Sequence, residues 1–261
     1  MRRPVTATLA IAVAALTLFA APTAARADRA IPPRILSGTI HPSVVPVGPE
    51  GSRTFSASFV AEDDSGIRPD GAEAILDGPG PTDLTSDRPP SGTSICTPTS
   101  PTRATCRFTF TVNSGRLTNA DAGTFRLWAL VTSNDFDPHT GSGGLVTAGD
   151  LDSVRIQRLS QLTIDVFPKR PRPGYPHGVV GRLTLADWDN GGYIGAPAGL
   201  GVRLEYIPYG GSTWQPVADL TTGRGGVVLT STPPRAPGEW TLVHEGTETT
   251  SFGSAPAFDV P

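Results

Sequence analysis

The chain of 261 residues is 38% hydrophobic and only 17% charged, with 30 glycines and 27 prolines. Disordered chains usually contain fewer apolar and more charged residues, so this composition argues against disorder and favours short strands joined by many turns. The formal net charge of −3 argues against nucleic acid or anionic lipid as the partner.

The first 27 residues have the pattern of a secretory signal peptide. A basic start at Arg2 and Arg3 precedes an uncharged apolar run over residues 6–21, and Ala25 and Ala27 are the small residues that a signal peptidase reads. The run is short for a membrane span, which needs about 20 apolar residues. We therefore expect cleavage after Ala27 and a secreted, extracellular product with no membrane insertion.

The mature chain is expected to be acidic. Removing Arg2, Arg3 and Arg26 from the 21 basic residues leaves 18 against 24 acidic residues, a net charge of −6.

Three segments alternate apolar and polar residues with the period of two that predicts half-buried antiparallel strands. Their inward residues are Phe55, Ala57, Phe59 and Ala61; Cys106, Phe108, Phe110 and Val112; and Phe125, Leu127, Ala129 and Val131. In the third segment, Trp128 and Leu130 then require a second contact. Helical patterning is almost absent after the signal peptide, so the sequence predicts an all-β fold.

The sequence contains no clear catalytic or metal motif. Asp63 to Gly66 (DDSG) is similar to the GDSG nucleophile segment of trypsin-like proteases, but Asp63 replaces the leading glycine and no segment supplies the base. The four histidines are dispersed, without the spacing of a zinc site: His41, His139, His177 and His244. We predict that the protein is not an enzyme and has no catalytic residue, cofactor or metal.

Cys96 and Cys106 lie ten positions apart. In an exported chain such a pair usually forms a disulfide. The closed loop is small, so its expected stabilisation is a little under about 3 kcal/mol. Two metal-binding thiols are the alternative reading.

The stretch NADAGTFRLWALV, residues 119–131, resembles the corner of immunoglobulin variable-type domains, where a D-x-G-x-Y-x-C sequence leads into strand F. Asp121, Gly123, Phe125 and Leu127 occupy the matching positions. Phenylalanine replaces the tyrosine and leucine replaces the cysteine, so the resemblance implies an apolar corner without an inter-sheet disulfide.

A similar corner follows about 115 residues later, where Gly238, Trp240 and Leu242 have the same relative spacing. The two corners predict two tandem immunoglobulin-like antiparallel β-sandwich domains after the signal peptide. With a boundary near Leu159, the predicted domains span 28–159 and 160–261.

The second domain is also similar to prealbumin-like bacterial modules. Its strands and turns follow their order of G-x-L, V-x-L, T-D-x-x-G and G-x-[YW]-x-L, except that Thr222 replaces the aspartate of the turn. A signal peptide followed by two such modules resembles exported actinobacterial proteins of uncharacterised function.

The stretch DWDNGGYIG resembles the beginning of a calcium-binding EF-hand loop, with Asp187, Asp189 and Gly192 in place. Gly191 and Ala198 replace two required oxygen ligands, which excludes an EF-hand. A looser calcium site at one of three acidic pairs remains as an alternative, and turn stabilisation competes with it. The pairs are Asp63/Asp64, Asp135/Asp137 and Asp187/Asp189.

Aromatic residues are concentrated in the second domain. Exposed aromatics can stack on pyranose rings, which makes four of them candidate ligand-stacking residues: Trp188, Tyr193, Tyr209 and Trp214. The alternative is that Tyr206 and Trp214 fill the core while Tyr209 caps a hairpin.

The sequence thus predicts a secreted, monomeric, non-enzymatic binding or structural module, whose partner is an extracellular protein or polysaccharide of unknown identity. The alternatives are carbohydrate or cell-wall polysaccharide binding through the aromatics of the second domain, and a calcium-stabilised adhesion module.

Overall fold

The computed structural model describes residues 31–87, 93–141, 143–169, 175–233 and 235–260, so the expected signal peptide lies outside the described residues. The predicted all-β fold is confirmed, because antiparallel sheets make up most of the regular structure. The helical elements in these ranges are short 3-10 turns at Ser114–Arg116, Asn119–Asp121 and Arg224–Gly226. None of the helices described is long and apolar enough to span a membrane.

The first half, residues 31–159, contains ten strands in two sheets. The strands are β1 (Arg34–His41), β2 (Val44–Val47), β3 (Ser52–Glu62), β4 (Ile67–Asp77), β5 (Leu84–Thr85), β6 (Cys96–Ser100), β7 (Arg103–Asn113), β8 (Gly123–Ser133), β9 (Leu145–Ala148) and β10 (Ser153–Arg158). One sheet has the order β1-β3-β7-β6, and the other has the order β2-β10-β8-β4-β5 with β9 also paired to β8. The pairing of β2 with β10 is parallel, and the other pairings are antiparallel.

The core of the first half lies between these sheets and confirms the predicted alternation of β3, β7 and β8. All twelve predicted inward residues of these strands are buried. Phe55 stacks on Phe110 and Phe59 on Phe108, with ring centroids 5.6 and 5.4 Å apart. Aromatic pairs at this spacing stabilise neighbouring strands beyond their buried area.

The second half, residues 160–260, contains nine strands in two further sheets. The strands are β11 (Ser160–Phe167), β12 (His177–Ala186), β13 (Tyr193–Gly195), β14 (Gly201–Pro208), β15 (Gln215–Thr221), β16 (Val227–Thr232), β17 (Gly238–His244), β18 (Gly253–Ser254) and β19 (Phe258–Val260). In one sheet β12 pairs with β11 on one side and with β13 and β16 on the other. In the other sheet the order is β15-β14-β17, and β17 also pairs with β18 and β19.

The two halves meet at Leu159. No sheet formed by the described residues combines strands from both halves. Each half also has its own cluster of buried apolar residues, with one exception: Ala186 and Trp188 belong to the second half in sequence but to the first cluster in space. This exception locates the site described next.

Candidate functional site

Trp188 connects the two halves. It lies in the loop after β12, yet its side chain is only 5% exposed because it packs into the core cluster of the first half. Its indole N–H donates to the carbonyl oxygens of Gly48, at 3.1 Å, and Val47, at 3.4 Å. A buried indole normally finds a partner for this N–H, and here the partner is the backbone of the other half.

Asn119 forms the second connection, from the first half to the same loop. Its side-chain amide donates to carboxylate oxygens of Asp187 and Asp189, each at 2.7 Å, and its backbone N–H donates to Asp189 at 3.1 Å. Its side-chain oxygen accepts the backbone N–H of Trp188 at 3.0 Å. Asn119 therefore forms hydrogen bonds with three consecutive residues of the loop. Its bonds to the two carboxylates are stronger than hydrogen bonds between neutral groups.

Charge at the joint is balanced by Arg158, the last residue of β10. Its Nε donates to the carbonyl oxygen of Ala186 at 2.6 Å. Burial lowers the pKa of the Arg158 guanidinium, and the carboxylates of Asp187 and Asp189 oppose that shift. Hydrogen bonds from the amides of Asn190 and Asn119 lower the pKa of the Asp187 carboxyl. The Asp187 carboxylate is thus stabilised in its charged form.

The backbone at the boundary is bonded to both halves. Leu159 donates its N–H to Val47 of the first half and accepts the N–H of Ala186 of the second, each at 2.9 Å. Arg158 donates to Thr249 and accepts from Ser251, each at 3.0 Å, next to a parallel bridge with Thr250. A one-residue connection with both backbone groups bonded leaves little room for hinge motion.

The predicted corner of the first half is held by a buried carboxylate. Asp121 is fully buried and accepts four hydrogen bonds, from the backbone and hydroxyl of Thr82 at 3.0 and 3.1 Å and from those of Thr118 at 2.6 and 2.9 Å. Gly123 has a φ of +148°, a conformation that side chains disfavour. Phe125 is fully buried, as an apolar corner requires.

The corner of the second half contains Gly238 and Trp240. Trp240 is fully buried and contacts the rings of Tyr206 and His177, with centroids 4.9 and 5.5 Å away. A side chain at Gly238 would meet the carbonyl oxygen of Ile207 at 2.4 Å, so the close approach of β14 and β17 requires glycine there.

The four candidate ligand-stacking residues do not share a surface. Trp188 corrects the expectation of an exposed ring, because the first half buries it. Tyr193 lies at the joint end of the second half, opposite Ala186. Tyr209 and Trp214 flank the β14–β15 turn at the other end of the second half. The eight-residue strand β14 separates the two ends by about 25 Å. Tyr209 and Trp214 are 52% and 36% exposed, and the Tyr209 hydroxyl bonds to Asp259.

The cysteine pair forms the predicted disulfide. Cys96 and Cys106 are direct partners in the β6–β7 hairpin, so the bond joins two strands of one sheet rather than the two sheets. Both residues are fully buried in the core of the first half.

The three acidic pairs that were candidate calcium ligands accept hydrogen bonds from other groups of the protein. Asp135 accepts the hydroxyl of Ser133, and this hydrogen bond is the main cause of the lowered pKa of its carboxyl. Asp137 accepts the backbone N–H of His139 and the hydroxyl of Thr140. Ser65 donates to Asp63 at 2.6 Å, whose second carboxylate oxygen is buried without a hydrogen-bond partner. Among the residues described, no three acidic, histidine or cysteine side chains are grouped as a metal site.

Sequence reasoning missed the roles of Asn119, Arg158 and Gln157 at the joint. Gln157 is buried and donates to the carbonyl oxygen of Thr247 at 2.5 Å. Two sequence signals lay close to the joint. Asn119 begins the turn that leads to the predicted corner residue Asp121, and the predicted boundary was near Leu159.

No known protein-family profile matches the chain, and no curated protein is significantly similar to it in sequence. Among solved structures, the chain is similar to dimeric latent PorU from Porphyromonas gingivalis, with 15% sequence identity and a TM-score of 0.28. That match covers 91% of this chain and 20% of the other, so this chain spans about a fifth of its length.

Proposed function

We propose that the protein is a secreted, non-enzymatic binding or structural module, built from two immunoglobulin-like sandwiches in a fixed relative orientation. The observation that carries the proposal is the joint, where Trp188 of one half completes the core of the other and Asn119 bonds three consecutive loop residues. Inter-domain contacts of ordinary size usually permit relative motion, whereas this joint buries a large aromatic and ties the connecting backbone.

The strand orders support the immunoglobulin-like part of the proposal. Immunoglobulin sandwiches have the order A-B-E-D in one sheet and C-F-G in the other, with C′ added beside C in variable-type domains. In the first half β1-β3-β7-β6 follows the first order, and β10-β8-β4-β5 follows G-F-C-C′. In the second half β11-β12-β16 follows A-B-E, and β15-β14-β17 with β18 and β19 follows C′-C-F-G.

The position of the corners supports it further. Phe125 is the third residue of β8, and Trp240 is the third residue of β17, which are the F strands in this assignment. Such a scaffold positions loops and sheet faces for recognition, and the chemistry of recognition then lies in those surfaces.

Two experiments test the proposal. The first is N-terminal sequencing of the protein recovered from culture supernatant: export predicts a product that begins at Asp28, and retention of the uncleaved chain inside the cell contradicts it. The second measures retention of the wild type on cell-wall fractions and supernatant proteins. A binding role predicts capture by at least one of them, and no capture by either contradicts it.

A further inference from the structure

Trp128 presents an aromatic ring on the outer face of the sheet β2-β10-β8-β4-β5. Its neighbours in β8, Leu127 and Ala129, point into the core, whereas Trp128 is 45% exposed. It lies in the first half, so it belongs neither to the joint nor to the aromatic residues of the second half. The alternation of the strand places this ring in solvent.

The ring is supported from beneath by a glycine. A side-chain carbon at Gly149 would lie 2.6, 2.7 and 2.8 Å from Cε2, Cζ2 and Cδ2 of the indole. Near-equal distances to three ring atoms mean that one face of the indole lies flat over the backbone at Gly149. On the neighbouring strand, Ile75 is the direct cross-strand partner of Trp128. One face of the ring is therefore covered by the backbone at Gly149, and 45% of the surface of Trp128 remains exposed.

Charged residues follow Trp128 along the outer face of the sheet. Arg126, the preceding outward residue of β8, donates to the carboxylate of Asp150 at 2.9 Å, and both side chains are more than half exposed. Asp150 directly follows Gly149 and has a φ of +53°, a turn conformation in which aspartate is one of the tolerated residues. Asp77 lies opposite Arg126 on β4. Hydrogen-bond donors and acceptors thus lie along one edge of the platform.

The charge of this surface favours a sugar ring over a protein partner. The centres of protein interfaces are depleted of charge, whereas the Asp77, Arg126 and Asp150 positions follow Trp128 directly along the outer face of the sheet. A pyranose matches one indole in size, and the electron-rich face of an aromatic ring attracts the partial positive charge of its C–H groups.

We propose that Trp128 is the stacking platform of a saccharide-binding site, with the Arg126–Asp150 pair bonding to hydroxyl groups of the same sugar. The guanidinium supplies donors and the carboxylate supplies acceptors, so the pair suits the dual character of a hydroxyl. This inference rests on the proposed binding role, for which it names the ligand class, and it does not require the fixed joint.

The test measures retention of the full-length protein on insoluble cellulose, chitin and peptidoglycan, followed by titration with soluble oligosaccharides of whichever polymer retains it. Trp128→Ala is expected to weaken binding about tenfold or more, which corresponds to the loss of roughly 1.4 kcal/mol. Trp128→Phe should keep part of the affinity, and Gly149→Val should lose it because the new side chain displaces the indole. Tyr175→Ala is the matched control, because this aromatic is 59% exposed in the second half, and it should bind like the wild type.

Retention on none of the three polymers overturns the inference, and so does equal binding by wild type and Trp128→Ala. Circular dichroism of each variant confirms that lost binding is not lost folding. The same polymers are tested with Asn119→Ala, which alters the joint and leaves the platform intact. Asn119→Ala should therefore keep saccharide binding. In the wild type, saccharide binding together with halves that reorient independently would refute the fixed orientation alone, whereas rigid halves without saccharide binding would refute only this inference.

Discussion

The indole N–H of Trp188 donates to the carbonyl oxygen of Gly48 at 3.1 Å, although 140 residues separate the two in sequence. Gly48 follows β2 of the first half, and Trp188 follows β12 of the second. Because the ring fills the first core while its backbone belongs to the second half, the core of the first half is incomplete at this end without the second. The joint is therefore part of the folded interior rather than a contact between finished surfaces.

Replacement of Trp188 by alanine should destabilise the protein strongly. Truncation of a buried tryptophan removes apolar burial and leaves a cavity, which typically costs about 3–5 kcal/mol. The measurement is the free energy of unfolding from urea denaturation. Trp214→Ala is the control, since a surface substitution usually changes stability by less than about 0.5 kcal/mol. Equal effects of the two substitutions would show that the joint contributes nothing to stability.

Asn119→Asp should be more destabilising than Asn119→Ala at neutral pH. The aspartate would place a third carboxylate against Asp187 and Asp189, where the asparagine now donates two hydrogen bonds. Like charges at this distance disfavour the folded state, and protonation relieves them. The urea midpoint of Asn119→Asp should therefore approach that of Asn119→Ala as the pH is lowered. A midpoint difference that is independent of pH would contradict this account.

Lowering the pH should reduce the free energy of unfolding less in Asn119→Ala than in the wild type. The amides of Asn190 and Asn119 lower the pKa of Asp187 in the folded protein. Its carboxylate therefore stabilises the fold above the ordinary pKa of about 3.9, and this contribution is lost as the pH falls through the lowered value. Without the Asn119 amide the folded pKa lies closer to its ordinary value. NMR titration of the Asp187 carboxyl measures the shift directly, and an unchanged pKa in Asn119→Ala would refute it.

Asp121→Ala should cost about 3 kcal/mol or more, because four donors lose a charged acceptor in a fully buried position. Asp121→Asn should cost less, since one amide oxygen can still accept from Thr82. The comparison is made by thermal and urea unfolding. Unchanged stability of the alanine variant would mean that water replaces the carboxylate and that Asp121 does not hold the corner together.

Removal of the disulfide by Cys96→Ala with Cys106→Ala should lower stability by a little under about 3 kcal/mol on the chain-entropy estimate. The bond closes a loop of ten positions within one hairpin, so the effect should be confined to the first half. Hydrogen exchange should become faster in β6 and β7 and stay unchanged in β14 and β17. Uniform acceleration across both halves would show that the whole chain unfolds as one unit.

The strands could be predicted because their signal is local. In β3, β7 and β8 the residues that alternate in sequence are those that face the core, and the corner residues Phe125 and Trp240 are both fully buried. The disulfide could also be predicted, because a separation of ten positions suits two partners in a two-stranded hairpin.

The burial of Trp188 could not be predicted, because its cause is not local. DWDNGG has the composition of a solvent-exposed turn, but the side chain joins the core cluster of the first half and bonds to Val47 and Gly48, which lie 141 and 140 residues away in sequence. Asn119 was hidden for the same reason: a single asparagine before a capping turn has many local roles. Tyr209 and Trp214 follow Tyr193 closely in sequence, but the length of β14 separates them from it in space.

Residual dipolar couplings of the weakly aligned protein test the central claim most directly. A fixed joint predicts that the couplings of residues 31–159 and 160–260 fit one alignment tensor with the orientation of the halves seen here. Trp188→Ala should require two tensors of different magnitude. Two different tensors in the wild type would contradict the account, because they would show that the halves reorient independently despite the shared interior at Trp188.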